Sequence, residues 1–171
     1  MALVETPPGG ILLDAGGGTG RVAQYLRDKA ALLVVADEST RMLAEAGKKE
    51  GLRPICSHTE QMPFGDGIID KIIMVDALHH VADQTHTAHE LWRILKPGGR
   101  IIIEEPNIQS FRVKLIAIAE KLAFMRSNFL AEGQITRLFY NSHAAVRAET
   151  DGLTLWIIIE KALEFSPDHT N

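Results

Sequence analysis

A glycine-rich motif near the start of the chain follows a short apolar run and precedes a helical pattern: Asp14-Ala15-Gly16-Gly17-Gly18-Thr19-Gly20. Glycines let the backbone turn tightly and let a ligand approach the main chain, because they have no Cβ. The helix that follows would present free N–H groups and the positive end of its dipole. This order of strand, glycine turn and helix favours an α/β fold that binds a ligand at its first turn. A tight turn without a ligand is the alternative.

The spacing of the motif separates several classes of ligand. A dinucleotide site has the pattern G-x-G-x-x-G/A, but reading from Gly16 and Gly18 the third position is Arg21. No Lys followed by Ser or Thr is present, so the motif is not a phosphate-binding P-loop. The carboxylate of Asp14 would repel a pyrophosphate and would suit a ligand with a positive amino group. S-adenosylmethionine carries such an amino group and a sulfonium.

A second acidic residue, Asp37, ends the apolar run Leu32–Ala36. A carboxylate at the tip of a second strand can accept hydrogen bonds from both ribose hydroxyls of a bound nucleoside. Nicotinamide sites and methyl-donor sites share this feature, so it does not distinguish them. A helix cap is the structural alternative.

Short apolar runs alternate with helical patterns along the chain. Runs rich in Ile and Val without period-2 alternation predict strands that are buried on both faces; they are Ile11–Asp14, Leu32–Asp37, Pro54–Ser57, Asp70–Asp76 and Arg100–Glu105. Helical spacing predicts three helices between them, over Arg21–Lys29, Ser39–Ala46 and Asp83–Leu95. Such alternation indicates right-handed βαβ units.

The last third of the chain departs from this alternation. Its patterns predict helices over Gln109–Met125 and Glu132–His143, and then strands over Ala144–Glu149 and Leu153–Lys161. Asp151-Gly152 between the two strands is a hairpin signal. We expect an α/β, doubly wound, seven-stranded and mostly parallel sheet that ends in an antiparallel hairpin. Residues 1–171 would form one domain, with a cofactor-binding half at 1–106 and an acceptor or dimer region with the terminal strands at 107–171.

Charge and cysteine content restrict the cell compartment and the classes of partner that we expect for this chain. A formal net charge of −4 argues against a dedicated nucleic-acid binder. The single cysteine, Cys56, excludes an internal disulfide, and a cytoplasmic location is the default. The first ten residues do not resemble a signal peptide, and no apolar run is long enough to span a bilayer.

Four stretches within Ile11–Pro106 carry a family resemblance. They are Leu13–Gly20; Asp37-Glu38-Ser39 with Met42 and Ala46; Met62-Pro63-Phe64; and Ala77-Leu78-His79-His80 with Glu90–Arg100. In combination they resemble the class I S-adenosylmethionine-dependent methyltransferases, and within these the domain 11 type similar to the ubiquinone and menaquinone C-methyltransferases. The resemblance implies a Rossmann-like fold, S-adenosyl-L-methionine as cofactor and S-adenosyl-L-homocysteine as its product.

The resemblance also implies roles for individual residues. Five consecutive residues would wrap the methionine part of the donor, namely Asp14, Ala15, Gly16, Gly17 and Gly18. Asp37 would hold the ribose, Glu38 and Met42 would lie beside the adenine, and Asp76 and Ala77 would lie near the sulfonium. Relatives have Asp-Ala before the Leu-Pro-Phe segment, where this chain has His58 and Thr59. A neutral His58 can accept a hydrogen bond from the adenine amino group, whereas a protonated one cannot.

Candidates for proton transfer are His79 and His80, which follow the fourth strand. Methyl transfer from a sulfonium needs mainly positioning, so a general base is optional and depends on the acceptor. The alternative is that these histidines cap a helix or pack beneath the cofactor. We expect no metal, because His86 and His89 lack further ligands of convincing spacing.

The apolar segment Ile108–Leu130 is the candidate acceptor region. It could line a pocket for a lipid-like small molecule, form a homodimer contact or lie on a membrane surface. The sequence thus predicts a methyltransferase for a small, apolar acceptor. The alternatives are a non-catalytic binding or assembly module of the same fold and, less favoured, a nicotinamide-dependent oxidoreductase.

Overall fold

The computed structural model describes residues 4–108, 128–141 and 143–163. Seven strands form one sheet: β1 (Ile11–Ala15), β2 (Leu32–Asp37), β3 (Leu52–Cys56), β4 (Ile69–Val75), β5 (Leu95–Pro106), β6 (Ala144–Asp151) and β7 (Thr154–Lys161). Their order across the sheet is β3-β2-β1-β4-β5-β7-β6. Strands β1 to β5 are parallel, while β7 is antiparallel to both β5 and β6. The expected mostly parallel sheet with an antiparallel hairpin is confirmed.

The central strands are apolar because helices and turns cover both of their faces. Leu13 and Ile72 belong to one buried cluster, on the face covered by α2 (Gln84–Ile94) and α3 (Glu132–Leu138). Leu12 and Leu33 belong to a second cluster, on the face that α1 (Thr40–Ala46) covers. Successive side chains of a strand point to opposite faces, so a strand buried on both sides has no polar alternation.

Two helix starts depend on side-chain caps. Ser39 precedes α1, and its hydroxyl accepts a hydrogen bond from the Met42 N–H at 3.3 Å. Asp83 precedes α2, and its carboxylate accepts from the His86 N–H at 2.9 Å. Each cap satisfies a backbone N–H that the first helical turn leaves without a partner.

The helix predicted over Arg21–Lys29 is wrong. The segment instead forms two short 3₁₀ turns, Ala23–Tyr25 and Arg27–Lys29. Ala23 is fully buried, but Tyr25 is 76% exposed. The apolar stripe that predicted a helix is therefore not buried as a unit, and burial of an apolar face is what stabilises most helices in proteins.

Several other elements begin or end at residues that differ from the predicted ones. The helix expected over Glu132–His143 ends at Leu138, with Phe139 as its C-cap and Tyr140 86% exposed. The strand expected from Arg100 begins at Leu95, directly after α2, and its register with β4 shifts between Leu95 and Arg100. Gly98 has a φ of 75°, which accommodates the bend at this shift. The helix predicted over Gln109–Met125 lies outside the described residues.

The β6–β7 hairpin has the predicted tight turn. Asp151 pairs with Thr154 across a two-residue loop, and Gly152 has a φ of 57°. A left-handed residue at this position suits the right-handed twist of the two strands. Because β7 pairs with β5, the hairpin extends the sheet beyond its last parallel strand.

Replacing the fully buried Ile103 of β5 by alanine should lower the free energy of unfolding by about 2–5 kcal/mol, through lost burial and the cavity left behind. Urea denaturation measures this loss. Ile68→Ala is the matched control, because Ile68 is 40% exposed and removes less buried surface. Equal losses in the two variants would contradict the assignment of Ile103 to the core.

Candidate functional site

The predicted site residues gather at the carboxyl ends of β1, β2 and β4. Strand β1 lies between β2 and β4, so the chain crosses the sheet in opposite directions on either side of it. Ligands of open α/β sheets bind at such a switch point, outside the carboxyl ends of the strands. The glycine motif is the loop that leaves β1 at this position.

The glycine loop has a backbone that other residues would strain. Gly16, Gly18 and Gly20 have φ values of 72°, 54° and 68°. A Cβ on Gly16 would lie 2.7 Å from the Cβ of Ala77, the second residue after β4. The N–H of Gly16 donates to the Ala36 carbonyl at 2.8 Å, which holds the loop against the end of β2. Glycine is therefore required at position 16 by both conformation and packing.

Asp14 is buried beneath this loop. It is 2% exposed, and its Oδ2 has no hydrogen-bond partner among the described residues. A Cβ on Gly17 would lie 2.6 Å from this oxygen, so the carboxyl is packed directly against the loop backbone. Burial raises the pKa of Asp14 to about 7, with the nearby charge of Asp37 as the second cause. The carboxyl thus lies below the glycine loop.

Asp37 joins the glycine loop to the start of α1. Its Oδ2 accepts a hydrogen bond from the Gly18 N–H at 2.9 Å, and its Oδ1 accepts from the Ser39 N–H at 2.8 Å. The residue is partly exposed. A carboxylate has roughly four acceptor positions. Asp37 can therefore hold the loop and still accept hydrogen bonds from a ligand.

Three predicted adenine-site residues lie at the rim beside Asp37. The Nδ1 of His58 is 3.2 Å from Glu38 Oε2, and both side chains are 73% exposed. Met42 is 47% exposed, and its sulfur would lie 3.2 Å from a Cβ on Gly18. The structure thus brings Glu38, Met42 and His58 to the same side of the glycine loop.

Thr59 differs from its neighbour His58. Its side chain is buried, and its hydroxyl is 2.9 Å from the hydroxyl of Thr87 in α2. A contact of Thr59 with an adenine would therefore use the main chain. The side chain instead ties the loop after β3 to α2.

Asp76 follows β4 with a φ of 51°, a left-handed conformation that is uncommon outside glycine. Its N–H donates to the Glu104 carbonyl at 3.0 Å, and its carboxylate is 3.4 Å from Arg21. Partial burial and the charge of Asp76 raise the pKa of Glu104. Strained backbone of this kind occurs mostly at functional sites, where the surrounding structure holds it.

The two candidate histidines have different environments. His80 is exposed, whereas His79 is 4% exposed. The His79 ring stacks on Phe129 with a centroid distance of 4.3 Å, and it lies 4.0 Å from the His80 ring. Its Nδ1 is 2.5 Å from Oε2 of Glu105. His79 is therefore held between Glu105 and Phe129, while His80 is the more exposed of the two.

Glu105 and Arg21 belong to this region and were missed from the sequence. Glu105 is 4% exposed at the end of β5, and its Oε1 accepts from the backbone N–H groups of Ala77 and Leu78 at 3.1 and 2.8 Å. The sequence did contain a signal for Glu105, because two successive carboxylates end the apolar run of β5. The carboxyl end of β5 lies beside that of β4, where ligands of such sheets bind.

Two kinds of feature are absent from the described ranges. In residues 4–108, 128–141 and 143–163, no three or more His, Cys, Asp or Glu side chains are grouped to hold a metal ion. None of the helices in these ranges has the length and apolar character to cross a membrane.

The burial of Asp14 should make the free energy of unfolding depend on pH. As the pH rises from 3.8 to about 7, the unfolded chain releases the Asp14 proton while the folded protein keeps it. Stability is therefore lost across this window, by at most about 4 kcal/mol. Asp14→Asn should remove the loss and be more stable than the unchanged protein at pH 8, as measured by urea denaturation without ligand. Parallel pH profiles of the two proteins would contradict this.

Comparisons with known proteins identify the family of this chain. Residues 13–103, more than half of the chain, match the family model described as a methyltransferase domain. The demethylmenaquinone methyltransferase of Mycobacterium tuberculosis is 34% identical over 98 residues, which are 57% of this chain and 42% of that protein. The enzyme of the same name from Mycolicibacterium vanbaalenii is 30% identical over 72% of this chain and 53% of its own length. The chain thus spans about half the length of these relatives.

A solved structure is similar across almost the whole chain. It is a possible histamine N-methyltransferase from Thermotoga maritima, described as S-adenosylmethionine-dependent, with a TM-score of 0.76 and 24% identity. The match covers 91% of this chain and 83% of that one. At this identity the likeness shows the fold. The family model covers the glycine loop, Asp37, the loop after β4 and most of β5, and the chain belongs to the methyltransferase domain family.

Proposed function

We propose that the chain binds S-adenosyl-L-methionine at the carboxyl ends of β1, β2 and β4 and transfers its methyl group to a small, apolar acceptor. The observation that carries this proposal is the glycine loop, which has left-handed backbone, lies above a buried carboxyl and is held by Asp37. The donor has an amino group, a ribose and an adenine, and the site offers a matching group for each.

The residues fit the donor in three parts. The orphaned Oδ2 of Asp14 lies beneath Gly17, so the donor's ammonium group above the loop would favour the ionised carboxylate. The spare acceptor positions of Asp37 suit the ribose hydroxyls. The rim formed by Glu38, Met42 and His58 suits the adenine, with the Met42 thioether as its apolar contact.

The methyl end of the donor would lie beside Asp76 and Ala77. Ala77 packs against Gly16, and the left-handed backbone of Asp76 directs the chain across the end of β1. The donor supplies a methyl group already activated on a sulfonium, so the protein's part is to position the reactants and exclude water. Where the acceptor must lose a proton, His79 and His80 are the candidate bases.

An apolar acceptor is the finer part of the proposal. The two mycobacterial relatives are named demethylmenaquinone methyltransferases, and a demethylated quinone is a largely apolar molecule. The apolar segment expected to contact the acceptor, Ile108–Leu130, lies mostly outside the described residues. The homodimer, the peripheral membrane contact and the cytoplasmic location expected from the sequence stay predictions.

A non-catalytic module of the same fold is the second candidate. This chain has His58 and Thr59 where relatives have Asp-Ala, and the difference favours the non-catalytic module. The Thr59 side chain faces α2, and His58 already pairs with Glu38. Donor binding without methylation of any tested acceptor would support this alternative, and a single methylated product would exclude it. The nicotinamide-dependent oxidoreductase has no support, since residues 13–103 match a methyltransferase domain.

Calorimetric titration with S-adenosylhomocysteine tests donor binding directly. We expect saturable binding in the micromolar range and no binding of NAD, because the buried Asp14 disfavours a pyrophosphate above the glycine loop. A panel of demethylated quinols, assayed by mass spectrometry, then tests methyl transfer. Failure to bind S-adenosylhomocysteine at high micromolar concentrations would overturn the proposed function.

Gly16→Ala should weaken binding of S-adenosylhomocysteine about tenfold or more, since it adds left-handed strain and a contact with Ala77. Gly152→Ala is the matched control. Gly152 also has a positive φ, but a Cβ added there would meet no atom within 4 Å, and it is in the distant β6–β7 turn. We expect backbone strain to lower the stability of both variants, with a further loss from the Ala77 contact in Gly16→Ala, and a loss of affinity in Gly16→Ala alone. Unchanged affinity in Gly16→Ala would exclude the loop from the donor site.

A further inference from the structure

Glu105 connects two parts of the site. One carboxylate oxygen, Oε1, accepts the backbone N–H groups of Ala77 and Leu78, and the other, Oε2, is 2.5 Å from His79 Nδ1. Both Glu105 and His79 are 4% exposed. A buried carboxylate with this many partners stabilises a single arrangement of the groups around it, because each lost hydrogen bond would leave a buried polar atom unpaired.

This geometry selects one tautomer of His79. An ionised Glu105 can only accept hydrogen bonds, so the short contact requires a hydrogen on Nδ1. A neutral His79 then carries its lone pair on Nε2, at the opposite edge of the ring. Within the described parts of the chain, Nε2 makes no hydrogen bond.

The ring is also fixed in orientation. Phe129 stacks on it with an interplanar angle of 15°, and the His80 ring contacts it at 4.0 Å. The Asn128 N–H donates to the His79 carbonyl at 2.7 Å, which holds the main chain as well. Tautomer and direction are thus both set before a substrate binds, which is the usual arrangement of a carboxylate–histidine base.

We propose that Glu105 is a positioning residue that holds His79 as the Nδ1–H tautomer, with Nε2 as the base that accepts the acceptor's proton. This inference rests on the proposed methyl transfer. His79 is then the base of the two candidates, and the exposed His80 packs against its ring. No sequence motif assigns this role to Glu105.

The proton and electrons balance as follows. In a quinol acceptor the hydroxyl gives its proton to Nε2, and the electron pair so freed is delivered through the adjacent ring carbon to form the new bond to the methyl carbon. The hydrogen of that ring carbon then leaves as a proton to water, which restores the aromatic ring. The electron pair of the cleaved carbon–sulfur bond stays on sulfur, leaving a neutral thioether. The imidazolium formed on His79 lies against the Glu105 carboxylate, which stabilises it until the proton leaves to water.

A purely structural role for Glu105 is the competing explanation. In that case its hydrogen bonds to the Ala77 and Leu78 N–H groups would stabilise the fold, and the tautomer of His79 would have no effect on methyl transfer. Glu105→Gln separates the two roles, because the amide oxygen can still accept both backbone N–H groups. Its NH₂ group would face Nδ1 and donate to it, so the hydrogen of His79 would move to Nε2.

Nitrogen NMR of ¹⁵N-histidine-labelled protein reads the tautomer without any acceptor. We expect the hydrogen of neutral His79 on Nδ1 in the unchanged protein and on Nε2 in Glu105→Gln, with the signals assigned by their loss in His79→Gln. Calorimetry should give the same affinity for S-adenosylhomocysteine in both proteins. With a short-chain demethylmenaquinol as acceptor, kcat should fall about 10²-fold or more in Glu105→Gln, with little change in KM.

Asp70→Asn is the matched control. Asp70 is another buried carboxylate that accepts a backbone N–H, from Ile11 at 2.8 Å, and pairs with a cation, Lys96 at 2.9 Å. It lies at the opposite end of β4 from the site. We expect this variant to lose stability but to keep the His79 tautomer, the affinity for S-adenosylhomocysteine and kcat.

Three results would overturn the positioning role. They are a hydrogen on Nε2 in the unchanged protein, an unchanged tautomer in Glu105→Gln, or an unchanged kcat after the tautomer has moved. A protein that shows the expected tautomers but binds no S-adenosylhomocysteine would contradict the proposed function instead. The two failures are therefore distinguishable.

Discussion

The loops that leave β1 and β4 pack against each other so closely that one of them can have no side chain at the contact. A Cβ on Gly16 would lie 2.7 Å from the Cβ of Ala77, and real Cβ atoms do not approach that closely. The contact sets where the glycine loop passes over the ends of the strands. Gly16 also has a φ of 72°, a conformation that glycine adopts without strain, so its backbone and its packing both favour glycine. The proposed donor site and the candidate base both lie around this contact.

Two carboxyl groups at the site are buried, and each loses hydration free energy when the chain folds. Asp14 is buried without a partner for Oδ2 among the described residues, and the Asp37 charge disfavours its ionisation. Glu105, by contrast, is buried with three hydrogen-bonded neighbours. Buried charges are tolerated where hydrogen bonds or opposite charges compensate their lost hydration. In the proposed function a cationic donor compensates Asp14, whereas the protein itself compensates Glu105.

Prediction from the sequence succeeded where a local rule decides the structure. Strands β1, β2 and β4 were located because strands buried on both faces are largely apolar. The Asp151-Gly152 turn was found from its composition. The helix over Arg21–Lys29 was wrong because helical spacing alone does not reveal whether a stripe is buried, and Tyr25 is not. The length of the helix after Glu132 failed for the same reason, since Tyr140 faces water.

The sequence by itself determined the succession of strands along the chain, the glycine loop after the first strand and the presence of Asp37 at the tip of β2. These follow from short-range patterns, because glycine spacing, apolar runs and the residues that end them are properties of neighbouring positions in the chain. Only the tertiary structure decided that Asp14 lies beneath the loop, that Thr59 turns towards α2 and that Glu105 binds His79. Glu105 and His79 are 26 residues apart in the chain. No local pattern could pair them, since their contact exists only when β4 and β5 lie side by side.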